Sequence, residues 1–245
     1  MNIYNSLLDN KKQGKKLFAV LIDPDKIKIS DLKKVSYECQ ESSVDFIFVG
    51  GSLLTNNVFD KCITTIKKNC SVPVIIFPGN IMQLNKDADA ILFLSLISGR
   101  NADMLIGKHV IAAPIIKKMN LEVIPTGYML VESGKLTSVT YISNTIPIPH
   151  DKDDIALCTA LAGEMLGLKA IFLDGGSGAF NPISENMITK VSSQLNIPII
   201  VGGGIKTPDK ALQNCKAGAD LIVVGNAIEY DTTRINEISH AIHSL

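Results

Sequence analysis

Two glycine turns near the C-terminus have the composition of a phosphate-binding site. Val201-Gly-Gly-Gly-Ile205 and Val224-Gly-Asn-Ala-Ile228 each follow an apolar, mostly β-branched run and precede a predicted helix. Glycine permits a tight turn that presents backbone N–H groups to a ligand, and a helix adds the positive end of its dipole. The turns lie one strand–helix unit apart, as in the last two strands of a (β/α)8 barrel that bind phosphate. The turns predict which group is bound, but not which reaction follows.

Two other strand ends carry hard oxygen ligands. Asp23 directly follows the first apolar run of the chain, and Ser52 follows the second run after two glycines. Mg²⁺ typically takes one or two protein oxygens and completes its shell with water and substrate phosphate. We therefore expect Asp23 and Ser52 to hold Mg²⁺ beside a diphosphate. Alternatively, Asp23 is a turn residue before Pro24, and Lys26 is either a phosphate ligand or a solvated lysine.

A carboxylate and a phenol are the candidate catalytic groups. Asp174 ends the sixth apolar run and precedes the glycine-rich turn 175–178, so it can orient or deprotonate a hydroxyl at the centre of the barrel. The glycines and Ser177 can donate hydrogen bonds to a phosphate of the same substrate. Tyr128, at the end of the fifth strand, can bind substrate through its hydroxyl or steady positive charge on a substrate with its ring. The alternative for Tyr128 is a packed aromatic residue of a strand.

The elements that must position these residues alternate between strand and helix. Strands are predicted at residues 17–22, 45–49, 72–77, 90–94, 122–129, 170–173, 197–201 and 220–224. Continuously apolar parallel strands with intervening helices predict an α/β fold, a (β/α)8 TIM barrel, as a single domain of residues 1–245. Only residues 78–89 separate the third and fourth strands, so the third helix is predicted to be short or missing. Residues 131–151 form either a lid or a passive surface loop.

Composition limits the functional classes. Apolar residues make up 46% of the 245 residues, and 24 basic residues balance 24 acidic ones, so no global charge favours nucleic acid. The five cysteines contain no CxxC pair and are expected to be reduced thiols rather than metal ligands. No apolar run reaches the roughly 20 residues that span a bilayer. We also see no signal-peptide pattern, so we expect a cytoplasmic protein.

Six motifs, in this order along nearly the whole chain, carry a family resemblance. They are Leu21-Ile-Asp-Pro-Asp-Lys26, Val49-Gly-Gly-Ser52, Pro125-Thr-Gly-Tyr128, Phe172-Leu-Asp-Gly-Gly-Ser-Gly-Ala179, Val201-Gly-Gly-Gly-Ile-Lys206 and Val224-Gly-Asn-Ala227. The chain resembles the geranylgeranylglyceryl phosphate synthase family, in its larger-subunit, group II-like branch. The glycine motifs alone are common among phosphate-binding barrels, whereas the ordered set is specific.

The resemblance implies a prenyltransferase. Members join sn-glycerol 1-phosphate to geranylgeranyl diphosphate, or to a related polyprenyl diphosphate, through an ether bond and release diphosphate. By motif match, Asp23 and Ser52 would hold Mg²⁺. The glycerol phosphate would contact Phe172, Leu173, Asp174, Gly175, Gly176, Ser177, Gly178, Gly203, Gly204, Gly225 and Asn226. The family also implies a barrel modified at the third helix, a homodimer or homohexamer, and peripheral membrane contact for the lipid substrate.

Two residues depart from family patterns. Some heptaprenyl-using relatives have Lys where this chain has Leu21, and many members have Glu where it has Asp174. The first departure argues against a heptaprenyl substrate, and the second shortens the reach of the predicted base. The rival interpretations are another phosphate-binding barrel, such as an indole-glycerol-phosphate-type enzyme, and a non-catalytic assembly protein that binds phosphate.

Overall fold

Eight parallel strands close into a barrel in the computed structural model, which describes residues 2–245. Each strand pairs with the next along the chain, and β8 closes on β1 with Leu17 opposite Leu221. The strands are β1 (Leu17–Ile22), β2 (Phe46–Val49), β3 (Val74–Ile76), β4 (Ala90–Leu96), β5 (Glu122–Leu130), β6 (Ala170–Asp174), β7 (Ile199–Gly202) and β8 (Leu221–Val224). The predicted (β/α)8 architecture is confirmed, and predicted and observed strands differ only at their ends.

Helices surround the barrel. They are α1 (Ile3–Lys12), α2 (Leu32–Glu41), α3 (Phe59–Asn69), α4 (Lys108–Met119), α5 (Ser138–Ser143), α6 (Asp153–Met165), α7 (Glu185–Ser192), α8 (Pro208–Lys216), α9 (Asn226–Tyr230) and α10 (Arg234–His243). A π-helical turn, Asp103–Gly107, runs directly into α4. Among the described residues, we find no helix with the length and apolar character needed to cross a membrane.

Strand alternation divides the apolar residues between two cores. Successive side chains of a strand point to opposite faces of the sheet. Along β6, Phe172 packs inside the barrel, whereas Ile171 and Leu173 pack outward against the helices. Because every second side chain points to the same face, Asp174 points inward as Phe172 does. Alternation therefore aims Asp174, but not Leu173, at the mouth of the barrel.

The third helix of the barrel is missing, as predicted. Residues 77–89, all of them described, connect β3 to β4 through turns and extended segments without a helix. The buried side chain of Gln83 ties this connection to the β2 loop: its Nε2 donates to the Gly51 carbonyl over 2.8 Å, and its Oε1 accepts from the Gly79 N–H over 3.2 Å. A Cβ on Gly79 would lie 2.2 Å from the Gly51 carbonyl oxygen, so only glycine permits this approach.

Helix α1, which the sequence reading did not identify, closes the other end of the barrel. Its buried residues Ile3 and Leu7 belong to the inner core. The Glu122 carboxylate accepts hydrogen bonds from the N–H groups of Ile3 and Tyr4, each over 2.8 Å. These N–H groups lack partners within the helix, so Glu122 both satisfies them and complements the helix dipole.

Carboxylates immediately before three even-numbered strands support the N-terminal rim of the barrel. Asp45 accepts from the Phe18 N–H, and Asp89 accepts from the Val74 N–H. Asp220 accepts from the Ile199 N–H over 2.9 Å, and it pairs with Lys11 over 2.8 Å. Each carboxylate thus satisfies the first or second N–H of the neighbouring odd-numbered strand, far from the mouth.

Replacing Asp220 with Ala should destabilise the fold without changing the mouth. The side chain is 7% exposed, and its loss leaves a buried N–H and an ammonium without their acceptor. We expect the free energy of unfolding to fall by about 3 kcal/mol in urea denaturation. The exposed pair between Asp9 and Lys12 gives the control, because Asp9→Ala should leave that free energy nearly unchanged. Equal effects of the two substitutions would contradict this role for Asp220.

Candidate active site

A cavity of about 700 Å³ opens at the C-terminal ends of the strands. Active sites of this fold lie at this end, because the loops that follow the strands converge there. One part of the cavity is bounded by the glycine loops after β6, β7 and β8, and the other by apolar side chains around α4. The cavity therefore has a polar end suited to phosphate and an apolar end.

Asp174 and Tyr128 form a buried pair at the polar end. The Tyr128 hydroxyl donates to Asp174 Oδ2 over 2.6 Å, and the Gly176 N–H donates to Asp174 Oδ1 over 2.8 Å. Burial raises the pKa of the Asp174 carboxyl, against the opposing effect of these two hydrogen bonds. Burial, and then the Asp174 charge, raise the pKa of the Tyr128 phenol, so the phenol remains a proton donor. Asp174 is thus a fixed carboxylate with a raised affinity for a proton.

The β7 glycines permit close contact between neighbouring loops. Gly203 and Gly204 have φ angles of 83° and 72°, in the left-handed region that favours glycine. A Cβ on Gly203 would lie 2.7 Å from Asp174 Oδ1, and one on Gly204 would lie 2.8 Å from the Pro182 nitrogen. Helix α8 begins only at Pro208, so the loop of residues 202–206, rather than a helix end, lines the cavity.

Asp23 lies on the β1 side of the mouth. Its Oδ2 is 3.1 Å from Lys26 Nζ, and its Oδ1 accepts from the Asp25 N–H over 3.1 Å. A Cβ on Gly51 would lie 3.1 Å from Asp23 Oδ1, so the β2 loop approaches this carboxylate closely just before Ser52. Asp23 and Ser52 both line the cavity. The predicted metal-ligand pair is therefore at one wall of the mouth.

The apolar end of the cavity lies where the third helix is missing. It is lined by Ile81 and Leu84 of the β3–β4 connection, by Ile91 and Phe93 of β4, and by Ala112 and Ile116 of α4. Several of these residues belong to the outer core between sheet and helices rather than to the barrel interior. The cavity therefore runs from the barrel mouth outward beside α4, and this shape suits an extended apolar group.

The long segment after β5 forms part of the cavity wall. Val139 and Ile142 of α5 line the cavity. The Ser133 carbonyl accepts from the Asn181 N–H over 2.9 Å, and a Cβ on Gly176 would lie 2.7 Å from Thr137 Oγ1. Of the two interpretations of residues 131–151, the passive surface loop is not supported, because the segment packs over the glycine loop after β6.

The structure brings most of the predicted site residues together. Those that line the cavity are Asp23, Ser52, Tyr128, Phe172, Asp174, Gly176, Ser177, Gly178, Gly203, Gly204, Gly225 and Asn226. Leu173 and Gly175 do not line it: Leu173 faces the helices, and a Cβ on Gly175 would contact Ala179. The predicted substrate contacts of these two residues stay predictions.

Glu229 and His109 line the cavity, although neither was identified from the sequence as a site residue. Glu229 accepts from Asn226 Nδ2 over 2.9 Å, and its position three residues after Asn226 in the last glycine motif was an available signal. His109 lies in the apolar part, with Nε2 3.2 Å from Ser95 Oγ and its ring edge-to-face with Phe93. Burial lowers the pKa of His109. A scattered histidine gave no sequence signal for this placement.

The family follows from comparison with known proteins. A family model described as the PcrB family matches residues 10–242. The chain belongs to the PcrB family. A curated relative from Chitinophaga pinensis, named geranylgeranylglyceryl phosphate synthase, is 57% identical over 242 residues, which cover 99% of this chain and 96% of the relative. A relative of the same name from Methanosphaera stadtmanae is 40% identical over 246 residues, covering 99% of this chain and all of the relative.

A solved structure resembles this PcrB-family chain throughout. It is the (S)-3-O-geranylgeranylglyceryl phosphate synthase from Thermoplasma acidophilum in complex with its substrate sn-glycerol-1-phosphate. The TM-score is 0.94 at 32% sequence identity, and the match covers 100% of both chains. The barrel without its third helix is therefore matched over its full length by a protein with a bound glycerol phosphate.

Replacing Asp174 with Asn should stabilise this PcrB-family protein. Asn can accept from Gly176 and donate to Tyr128, but it carries no buried charge. Because the folded-state pKa of Asp174 is raised above its unfolded value of 3.8, the wild type loses stability as pH rises through the folded pKa. Urea denaturation over a series of pH values that begins below 3.8 should show an advantage for the variant that grows with pH and becomes constant above the folded pKa. An advantage independent of pH would contradict this assignment.

Proposed function

We propose that this protein is a phosphoglycerol geranylgeranyltransferase. It joins sn-glycerol 1-phosphate to geranylgeranyl diphosphate, or to a related polyprenyl diphosphate. A glycerol hydroxyl oxygen bonds to the allylic carbon, the bond from that carbon to diphosphate breaks, and diphosphate leaves with the electron pair. The observation that carries the proposal is the full-length match to a synthase with bound sn-glycerol-1-phosphate. The cavity at the barrel mouth, which is polar at one end and apolar at the other, supports it.

Glycerol phosphate binds at the glycine loops in this proposal. Gly203 and Gly204 after β7, and Gly225 and Asn226 after β8, border the same part of the cavity as Ser177. Backbone N–H groups of such loops bind a phosphate without side-chain reorganisation. Held there, the glycerol extends toward Asp174, so the reacting hydroxyl is fixed near its proton acceptor before the second substrate reacts.

Asp174 takes the hydroxyl proton, and Tyr128 fixes Asp174. A carboxyl whose pKa is raised by burial accepts a proton more readily than an exposed one. Because the Tyr128 hydroxyl is engaged by Asp174 Oδ2, its ring is the part that remains to face the substrate. The ring lies 5.6 Å from that of Phe172 and 6.0 Å from that of Phe77, centroid to centroid. These aromatic faces can steady positive charge on an allylic carbon.

The residues at the β1 and β2 loops fit Mg²⁺. Asp23 and Ser52 offer a carboxylate and a hydroxyl, which are hard oxygen donors, and the close approach of Asp23 to Gly51 brings the two loops together. With so few protein ligands, water and diphosphate would complete the shell. Bound there, Mg²⁺ would neutralise charge on the departing diphosphate. The Lys26 ammonium, 3.1 Å from Asp23 Oδ2, adds a second positive charge at this wall.

The polyprenyl chain occupies the apolar end of the cavity beside α4. The missing third helix leaves room there, and Phe93, Ala112 and Ile116 provide an apolar lining. Burial of methylene groups in such a channel contributes about 0.8 kcal/mol each. Where the channel reaches the surface, contact with a membrane would deliver the lipid substrate.

Association into a homodimer or homohexamer in the cytoplasm is also part of the proposal. Helix α4 exposes apolar side chains at Val110, Ile111 and Ile115, with 67%, 56% and 43% of their surfaces accessible. A contiguous apolar patch of this kind is typical of an interface between protein chains.

The reaction can be assayed directly. Purified protein incubated with labelled sn-glycerol 1-phosphate and a series of prenyl diphosphates should form a prenyl ether only when Mg²⁺ is present. Another phosphate-binding barrel would show no Mg²⁺ requirement and no prenyl diphosphate binding. A non-catalytic assembly protein would bind glycerol phosphate without turnover. Either of these results would contradict the proposed function.

Asp23→Asn should separate turnover from glycerol phosphate binding. Loss of the carboxylate removes a metal ligand but leaves the glycine loops intact, so we expect kcat to fall roughly a hundredfold or more. Calorimetry should show nearly unchanged affinity for sn-glycerol 1-phosphate. Asp31 is an exposed residue at the end of the same loop, just before α2. Asp31→Asn is therefore the charge-matched control and should behave like wild type. Equal losses of turnover and binding in Asp23→Asn would contradict the metal assignment.

A further inference from the structure

Four polar side chains, from two loops and helix α9, form a closed ring at the polar end of the cavity. Lys26 Nζ, from the β1 loop, donates to Ser177 Oγ over 2.9 Å. Ser177 Oγ, from the β6 loop, donates to Asn226 Oδ1 over 3.2 Å. Asn226 Nδ2, after β8, donates to Glu229 Oε2 over 2.9 Å, and Glu229 Oε1 lies 3.8 Å from Lys26 Nζ. The ring connects loops that are far apart in the sequence.

The orientation of the Asn226 carboxamide is fixed from both sides. The Gly178 N–H can only donate, and it donates to Asn226 Oδ1 over 2.8 Å. An ionised Glu229 carboxylate can only accept, and it accepts from Asn226 Nδ2. Reversing the carboxamide would set a donor against a donor and an acceptor against an acceptor. Glu229 and the Gly178 N–H therefore together determine which end of Asn226 faces the β6 loop.

Glu229 is well placed for this role. Only 18% of its side-chain surface is exposed, and its two oxygens face Asn226 and Lys26. The Lys26 ammonium also pairs with Asp23 over 3.1 Å, so the ring connects the glycine loops with the wall that carries Asp23. The Ser177 hydroxyl and the Gly178 N–H converge on a single acceptor, Asn226 Oδ1, so Asn226 holds the β6 loop against α9.

We infer that Glu229 is a positioning residue for the phosphate site. Its carboxylate holds Asn226 so that the Ser177 hydroxyl and the Gly178 N–H converge between the β6 and β8 loops. Because Ser177 and Gly178 give their protons to Asn226, a phosphate binds to the remaining N–H groups of the glycine loops, whose spacing the ring has already fixed. The inference rests on the proposed function only in taking the ligand to be the phosphate of sn-glycerol 1-phosphate.

Two substitutions of Glu229 test the inference. Glu229→Ala removes the acceptor of Asn226 Nδ2, whereas Glu229→Gln keeps an acceptor oxygen and loses only the charge. We expect Glu229→Ala to weaken the binding of sn-glycerol 1-phosphate about five- to tenfold in calorimetry, the usual effect of one lost hydrogen bond. The loss of binding free energy in Glu229→Gln should be less than half of the loss in Glu229→Ala. Glu237→Ala, on the exposed surface of α10, is the matched control and should bind like wild type.

Hydrogen exchange provides a readout that does not depend on substrate. The Gly178 amide proton is held by Asn226 Oδ1, so its exchange should be faster in Glu229→Ala and close to wild type in Glu229→Gln. Exchange in β7 should be the same in all variants, which excludes general unfolding. Unchanged Gly178 exchange in Glu229→Ala, or equal losses in the two variants, would overturn the inference. If the wild type binds no glycerol phosphate, the proposed function fails, and the exchange result alone decides the role of Glu229.

Discussion

Closure of the barrel with strand side chains alternating in and out is the constraint on which the site depends. Closure gathers the C-terminal ends of eight strands at one mouth, and alternation decides which residue at each end faces it. Phe172 and Asp174 face inward, whereas Leu173 between them packs against the helices. A shift of one residue in β6 would bury the carboxylate in the outer core. The carboxylates at the opposite rim, including Asp220, maintain the strand ends from which this geometry follows.

Several charged side chains lie together at the mouth, although burial of charge does not stabilise the fold. Asp174 is buried with a raised pKa, and only Tyr128 and the Gly176 N–H stabilise its ionised form. Asp23 and Glu229 face Lys26 from two sides. The N-terminal rim differs, because its carboxylates each satisfy strand N–H groups. Charged groups with shifted pKa values, or with an ion-pair partner in common, are typical of functional sites. Charged groups whose hydrogen-bonding capacity is fully used are typical of structural sites.

The missing third helix connects the polar mouth to an apolar space. A complete helix between β3 and β4 would cover Ile91 and Phe93, which instead line the cavity together with Ala112 and Ile116 of α4. Gln83 maintains the open side by tying the extended connection to the β2 loop. One modification of the barrel therefore yields a cavity in which a charged group and a long apolar group can lie end to end.

The sequence by itself determined the barrel, the missing helix and the residues that follow each strand. These depend on local patterns: apolar runs, glycine turns and the short span of residues 78–89. It could not determine that Leu173 faces away from the cavity. Which alternate residues of a strand point into the barrel depends on how the strand pairs with its neighbours. Nor could the sequence reveal the ring of Lys26, Ser177, Asn226 and Glu229, whose members come from the β1 loop, the β6 loop and α9. Only closure of the barrel brings those segments within hydrogen-bonding distance, so the tertiary structure decided how the phosphate site is held together.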